Sequence, residues 1–203
     1  RPPPISTLLP YTTLFRSAHY EVIIIGAGVI GGSIARALSQ FNVDVLVLEK
    51  ENDVSSGASK ANSGIVHGGY DDPNGSVKAR FSRTGNLAFD KLESELHFGF
   101  KRCGSMVIGF DDDDLVALHK LTENGERNGV EDLKILIKDE IFRLEPHINP
   151  QVTCALYCPS AGITSPYELT IALFENAIEN GVFLKLNSEV IGINHLETGL
   201  FRV

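Results

Sequence analysis

The sequence predicts an α/β protein built on a parallel sheet, and three observations predict it. A short β-branched run, Glu21 to Ile25, leads directly into a glycine-rich turn. A helical pattern follows through Leu38, with Ile30, Ile34, Ala37 and Leu38 expected on one face. After a break at Asn42, Val43, Val45, Leu46, Val47 and Leu48 form a second run, with the near-continuous hydrophobicity of a strand covered on both faces. Strand, turn, helix and strand together make a βαβ unit, the crossover that parallel strands require.

The turn carries the chemistry. Gly26, Gly28 and Gly31, with Ala27 in the first gap, have the spacing G-x-G-x-x-G. Each lacks a side chain for a different reason: to turn tightly, to let a pyrophosphate approach the backbone, and to pack helix on strand. The helix that follows presents unpaired N–H groups and the positive end of its dipole to that phosphate. Glu49 closes the second strand about 20 residues further on, where an acid accepts hydrogen bonds from a ribose hydroxyl. With the adjoining Lys50 it forms the cofactor-binding end of that strand. An acid there disfavours a 2′-phosphate and leaves NAD and FAD open. The next segment, Ser55 to Tyr70, is rich in small residues, hydroxyls and amides suited to close approach by a large planar ligand, which tilts the choice towards flavin.

The remaining elements alternate. Glu51 to Gly75 has little periodicity and is long for a connection, as functional loops are. Ser76 to Leu96 is helical, with Phe81, Leu87, Leu92 and Leu96 as its apolar positions and Gly75-Ser76 as cap. Phe100 to Phe110 reads as a strand, Asp112 to Asn128 as a helix, and Leu133 to Ile137 as a strand before a short helix that Pro146 ends. Thr153 to Tyr157 is strand-like. Ser165-Pro166 starts a helix over Tyr167 to Asn180 that Gly181 closes, and two strands follow near Val182 to Leu186 and Glu189 to Asn194. Arg1 to Ser17 has no starting Met, carries three consecutive prolines and fits no period, so residues 1–19 are expected to be a non-native leader. The chain stops at Val203, just after a turn at Gly199 and at the start of what reads as another strand, so the natural protein is expected to be longer.

Composition narrows the classes. With 43% hydrophobic and 22% charged residues, the 203-residue chain is an ordinary globular protein with enough length for a real core. A net charge of -8 with scattered basic residues argues against nucleic acid as a partner. No apolar run approaches the ~20 residues of a membrane span, so no transmembrane segment is expected. Cys103, Cys154 and Cys158 make neither an even-numbered framework nor a metal-type pair of pairs. That points to a reducing compartment, the cytoplasm by default, with peripheral attachment to the inner face of the membrane as the alternative. Asp111 to Asp114 read as the first turn of a helix rather than a metal site, and Lys78, Arg80 and Arg83 as its neighbour's solvated face.

On these residues the chain resembles the FAD-dependent oxidoreductases of the D-amino acid oxidase type. The segment from Ser59 to Tyr70 is similar to the corresponding loop of glycerol-3-phosphate dehydrogenases and L-2-hydroxyglutarate dehydrogenases. Asn62-Ser63-Gly64 with Val66-His67 resembles the hydroxyglutarate group, and His67-Gly68-Gly69 the glycerophosphate group. The resemblance implies a Rossmann-like FAD-binding domain interrupted by a mixed α/β substrate domain, with residues 20–98 and 164–203 in the first and 99–163 in the second. It implies that Gly26, Ala27, Gly28 and Gly31 hold the pyrophosphate and that Glu49 holds the adenosine ribose. Ser59, Asn62, Ser63, Gly64 and Ile65 would line the flavin side, and Val190 would touch the adenine. The family's late glycine-rich FAD segment is absent from this chain.

The implied reaction is dehydrogenation of a small anionic hydroxy substrate, glycerol 3-phosphate or a 2-hydroxy acid, by hydride transfer to flavin. Electrons then pass to a quinone, an iron–sulfur module or oxygen, a choice the sequence leaves open. His67 is the candidate catalytic residue: an imidazole beside the ring can take the substrate hydroxyl proton or balance charge on reduced flavin. A histidine in a glycine-rich loop also serves simply to orient backbone. Two alternatives stand beside this reading: an FAD-dependent amine or amino-acid oxidase of the same superfamily, and a non-catalytic dinucleotide-binding fragment.

Overall fold

A computed structural model describes residues 19–203. The expected leader therefore lies, but for His19, outside the described residues. Strand β1 (Val22–Ile25) is followed by helix α1 (Val29–Leu38) and strand β2 (Val45–Leu48). The two strands are parallel, with Val22 opposite Val45 and Ile25 opposite Leu48. On the far side of β2 lies β9 (Phe183–Lys185), also parallel, so the sheet order is β1-β2-β9. Val45 and Val47 are fully buried while Leu46 and Leu48 are half-buried.

One face of this sheet is covered by α1 and by α5 (Pro166–Glu179), the helix that feeds β9. The two helices come close because Gly32 presents no side chain: a Cβ there would lie 3.0 Å from the ring of Phe174 and 3.2 Å from Leu173. Here the structure corrects the sequence reading. The buried positions of α1 are Gly31, Gly32 and Ala35, whereas Ile30 and Ile34 are 75% and 45% exposed. The face with the least side-chain volume is buried because close approach of two helices gains more contact than larger residues at a wider spacing would.

A 20-residue helix, α2 (Val77–Leu96), follows the long connection. Ser76 caps it, its hydroxyl accepting from the Ala79 N–H at 3.0 Å. Its buried positions are Ala79 and Asn86, with Phe89, Leu92 and Leu96 packed against Phe98, Leu169 and Leu173. Phe81 and Leu87, expected on the apolar face, are each 59% exposed. Beyond it the expected single strand from Phe100 to Phe110 is two: β4 (Phe100–Arg102) and β5 (Ser105–Gly109), which join different sheets. Both segments alternate in strand fashion, so local pattern could not reveal the change of partner at Cys103-Gly104.

Strand β5 pairs antiparallel with β7 (Cys154–Cys158), which also pairs with β6 (Lys134–Ile137). Helices α3 (Asp112–Arg127) and α4 (Lys138–Leu144) pack on this sheet around Leu118, Leu156 and Ile141. Asp111 caps α3 by accepting from the Asp114 N–H at 2.9 Å, and Asp112 to Asp114 fill the first turn. Two strands the sequence did not signal complete the fold: β3 (Ile65–Val66) inside the long connection, and β8 (Gly162–Thr164), in a sheet ordered β3-β8-β4. The expected strand from Glu189 to Asn194 does not form. Residues 189–193 are irregular, and only β10 (Asn194–His195) pairs, with β11 (Phe201–Arg202). No helix among the described residues is long and apolar enough to cross a membrane.

Candidate functional site

At the C-terminal end of β1 the chain turns through Gly26, whose φ of +102° a residue with a side chain would resist. The turn is pinned at both ends, by Gly26 N–H donating to Leu48 O at 2.8 Å and Ser55 N–H donating to Ala27 O at 2.9 Å. Gly31 sits directly against this turn: a Cβ on it would be 2.1 Å from Gly26 O. Gly28, the N-cap of α1, makes no side-chain cap of its own. Ser59 supplies one from 30 residues away, its Oγ accepting from the Val29 N–H at 2.9 Å and lying 2.8 Å from where a Gly28 Cβ would stand. The hydroxyl proton of Ser59 remains free to donate outward.

Glu49 closes the other side. One carboxylate oxygen accepts from the Ala27 N–H at 2.7 Å and the other from the Glu51 N–H at 2.9 Å. Each oxygen keeps a second lone pair. The neighbouring Lys50 is exposed and reaches Glu51 at 3.6 Å. Segment 185–188 runs along this end of β2, with Glu49 N–H donating to Lys185 O and Ser188 N–H to Glu49 O. Val190, half-buried, lies two residues past Ser188 in irregular chain.

From the turn a cleft continues along the loop. A cavity of about 540 Å³ is lined by Gly26, Gly28, Ile30, Ser59 and Asn62 among others. A second, of about 340 Å³, shares Val29, Ser59 and Asn62 with it and runs on to Gly64, Ile65 and His67, with Phe81, Phe89 and Thr164 opposite. Asn62, which lines both cavities, also holds the loop: its amide donates to Ser59 O at 2.8 Å and its carbonyl accepts from Gly64 N–H at 2.9 Å. Gly64 is locked against β8, with Thr164 N–H donating to Gly64 O at 2.9 Å. Ser63 is exposed, and Ile65 is 47% exposed beside the buried Val66. His67 is exposed, its carbonyl accepting from the Asn86 amide at 2.9 Å. Gly26 through Ser59 and Asn62 to His67 thus lie along one path, with Glu49 bonded to the turn at its start; Lys50 turns to solvent, and Val190 lines neither cavity.

Three positions went unread in the sequence. The hydroxyl of Thr164 is buried at this cleft with no partner among the described residues. Asn86 is 2% exposed on a helix face otherwise apolar, and the signal was its place one heptad after Ala79 and three residues before Phe89. Asp72, also buried, accepts from Ser82 at 2.5 Å and pairs with Lys78 at 2.6 Å, so Lys78 does more than face water.

Residues 21–203 match the model of the DAO family, FAD dependent oxidoreductase. The chain is 49% identical over 180 residues to a glycerol 3-phosphate dehydrogenase of Caloramator mitchellensis, covering 89% of this chain and 38% of that protein. It is 32% identical over 174 residues to the mitochondrial L-2-hydroxyglutarate dehydrogenase of Nematostella vectensis, covering 84% and 38%. Among solved structures it superposes with a TM-score of 0.87 on the L-alpha-glycerophosphate oxidase of Mycoplasma pneumoniae with FAD bound, at 28% identity over 91% of this chain and 49% of that one. The chain spans between about two fifths and half the length of these relatives.

Proposed function

Because the chain belongs to the FAD dependent oxidoreductase family, we propose that its cleft holds FAD and that the protein dehydrogenates glycerol 3-phosphate, with a 2-hydroxy acid as the alternative substrate. The observation that carries this reading is the continuous path from the Gly26 turn through Ser59 and Asn62 to His67. An extended dinucleotide fits it for physical reasons. The absence of side chains at Gly26 and Gly28 leaves backbone for the pyrophosphate to approach, next to the α1 dipole and the Ser59 hydroxyl, while Ala27 fixes the turn through its N–H to Glu49. The spare lone pairs of Glu49 suit ribose hydroxyls, with Lys50 beside them, and Val190 offers an apolar contact for adenine. Ser59, Asn62, Ser63, Gly64 and Ile65 then border the flavin, and the Thr164 hydroxyl, without a partner among the described residues, supplies a buried hydrogen-bonding group there.

When bound, FAD supplies a two-electron acceptor for the hydride that leaves the substrate carbinol carbon. His67 accepts the hydroxyl proton, so that the alcohol becomes a carbonyl with one hydride and one proton removed. The substrate reading rests on the 49% identity to a glycerol 3-phosphate dehydrogenase against 32% to a hydroxyglutarate enzyme. Residues 20–98 and 164–203 form the cofactor domain in this reading and 99–163 the substrate domain. The site is cytoplasmic, with a quinone, an iron–sulfur module or oxygen as final acceptor. The test is to load the protein with FAD and mix it anaerobically with sn-glycerol 3-phosphate, L-2-hydroxyglutarate or glycine in turn. Bleaching of the flavin absorbance by glycerol 3-phosphate alone is expected; bleaching by glycine alone would transfer the protein to the amino-acid oxidases, and binding of NAD in place of FAD would end the reading.

A further inference from the structure

We propose that Asn86, clamped by Arg102, is a positioning residue that sets where His67 stands in the cleft. This rests on the reading of His67 as proton acceptor, and goes beyond it by naming what places the imidazole. Asn86 is 2% exposed and spends its whole side chain on three bonds. Its amide donates to His67 O and to Ser160 O, each at 2.9 Å, and its carbonyl oxygen accepts from Arg102 Nη1 at 3.2 Å. The amide cannot be turned over, since that would set its NH₂ against a guanidinium and its oxygen against two carbonyls.

Arg102 is fixed in turn from α2 itself. Asp90, one helical turn beyond Asn86, receives its Nε at 3.0 Å and its Nη2 at 2.5 Å. Arg102 also donates to the backbone oxygens of Asn86 and Ser160. Helix α2, strand β4 and the turn after β7 are therefore joined at one buried amide, and the remaining bond of that amide goes to His67. On either side of His67 the backbone is held as well. Val66 pairs with Gly162, and Gly68 packs so closely on Cys158 that a Cβ would lie 2.3 Å from its sulfur. The ring itself is exposed and lines the cleft. Its position is thus inherited from its backbone, and a shift of about 1 Å in such a group is enough to cost about 100-fold in rate.

Asn86→Asp keeps the shape but replaces two donors with an acceptor facing two carbonyls; Arg102→Lys keeps the charge but loses the planar fork. Each is loaded with FAD and compared with wild type by anaerobic flavin reduction with sn-glycerol 3-phosphate at pH values from about 5 to 9, and by NMR titration of the histidine rings. The expected result is reduction slowed about 10- to 100-fold in Asn86→Asp and less in Arg102→Lys, KM within about threefold, and FAD affinity retained. In Arg102→Lys, which adds no charge, the His67 ring resonances should shift from their wild-type positions. Should Asn86→Asp fail to fold, Arg102→Lys carries the comparison. Variants that lose only stability, with rate, pH profile and His67 ring resonances as in wild type, would overturn the proposal. If wild-type flavin is not reduced by glycerol 3-phosphate, the substrate reading falls, and the His67 ring resonances in Arg102→Lys, which adds no charge, decide the positioning: shifted from wild type, it stands; unshifted, it fails.

Discussion

The carboxylate of Glu49 accepts a hydrogen bond from the backbone N–H of Ala27, 22 residues earlier in the chain, at 2.7 Å. This one bond ties the end of β2 to the turn after β1 and brings the acid over the mouth of the first crossover. Substituting Glu49→Ala should therefore weaken FAD binding twice over, by loosening the turn and by removing the proposed partner for the ribose. A charge-assisted hydrogen bond is worth about 1.5–3 kcal/mol, so a loss of roughly tenfold or more in affinity is expected in a fluorescence titration with FAD. Glu49→Gln, which keeps one acceptor oxygen, should fall between; equal affinity in all three proteins would count against the assignment of this carboxylate.

Gly31 and Gly57 make a controlled pair. A methyl on Gly31 would stand 2.1 Å from Gly26 O, whereas one on Gly57 meets nothing within 4 Å. Gly31→Ala should be destabilised by about 1–3 kcal/mol, and Gly57→Ala should stay within about 0.5 kcal/mol of wild type in urea unfolding.

The cap that Ser59 places on α1 predicts coupling. Ser59→Ala removes the acceptor of the Val29 N–H and should cost about 0.5–2 kcal/mol. Gly28→Ala should be more damaging alone than in the Ser59→Ala background, because the atom its methyl strikes, Ser59 Oγ at 2.8 Å, is then gone and the Ser59 Cβ is 3.9 Å away. A double-mutant cycle by denaturant unfolding reads this directly; strict additivity would contradict it.

Acid should find Asp72. Hydrogen bonds from Lys78 and then Ser82 hold its carboxyl below the usual carboxylate range, even though its burial opposes ionisation. A folded-state value below the unfolded one makes the stabilisation complete above about pH 4, the unfolded value, and removes it as pH falls through the folded value. Asp72→Asn should therefore be less stable than wild type at neutral pH, and the gap should narrow as unfolding is followed from about pH 5 to pH 3.

Thiol reactivity should divide the three cysteines. Cys103 is exposed, Cys154 is buried, and burial pushes the Cys158 thiol up, Ser160 only partly offsetting it. Alkylation followed by mass spectrometry should label Cys103 in the folded protein well before the other two.

The first crossover was legible in the sequence because everything that specifies it is local. Gly26 is bare for its own φ of +102° and Gly31 to clear Gly26 O five residues back, the runs before and after have strand composition, and Glu49 ends the second run. The capped helices were readable for the same reason, with Ser76, Asp111 and Ser165 each bonded to an N–H three residues on. These bonds span a single turn and depend on no distant partner.

What depended on distant partners was not legible. The alternation from Phe100 to Phe110 is the same whether it forms one strand or two, and only the separate pairing of β4 with β8 and β5 with β7 divides it. Ile30 and Ile34 have the periodicity of a buried face, yet α5 packs on Gly32, where two backbones come closest. The short strand Ile65–Val66 exists because Ile163 and Gly162 lie opposite, and Asn86 gains its meaning from His67 and Ser160, 19 residues before it and 74 after. By itself, then, the sequence determined the dinucleotide turn and its flanking elements, since bare glycines, caps and strand runs act over a few residues. The tertiary structure alone decided which faces were buried and which side chains frame His67, because close packing and the satisfaction of buried polar groups are properties of the assembled interior.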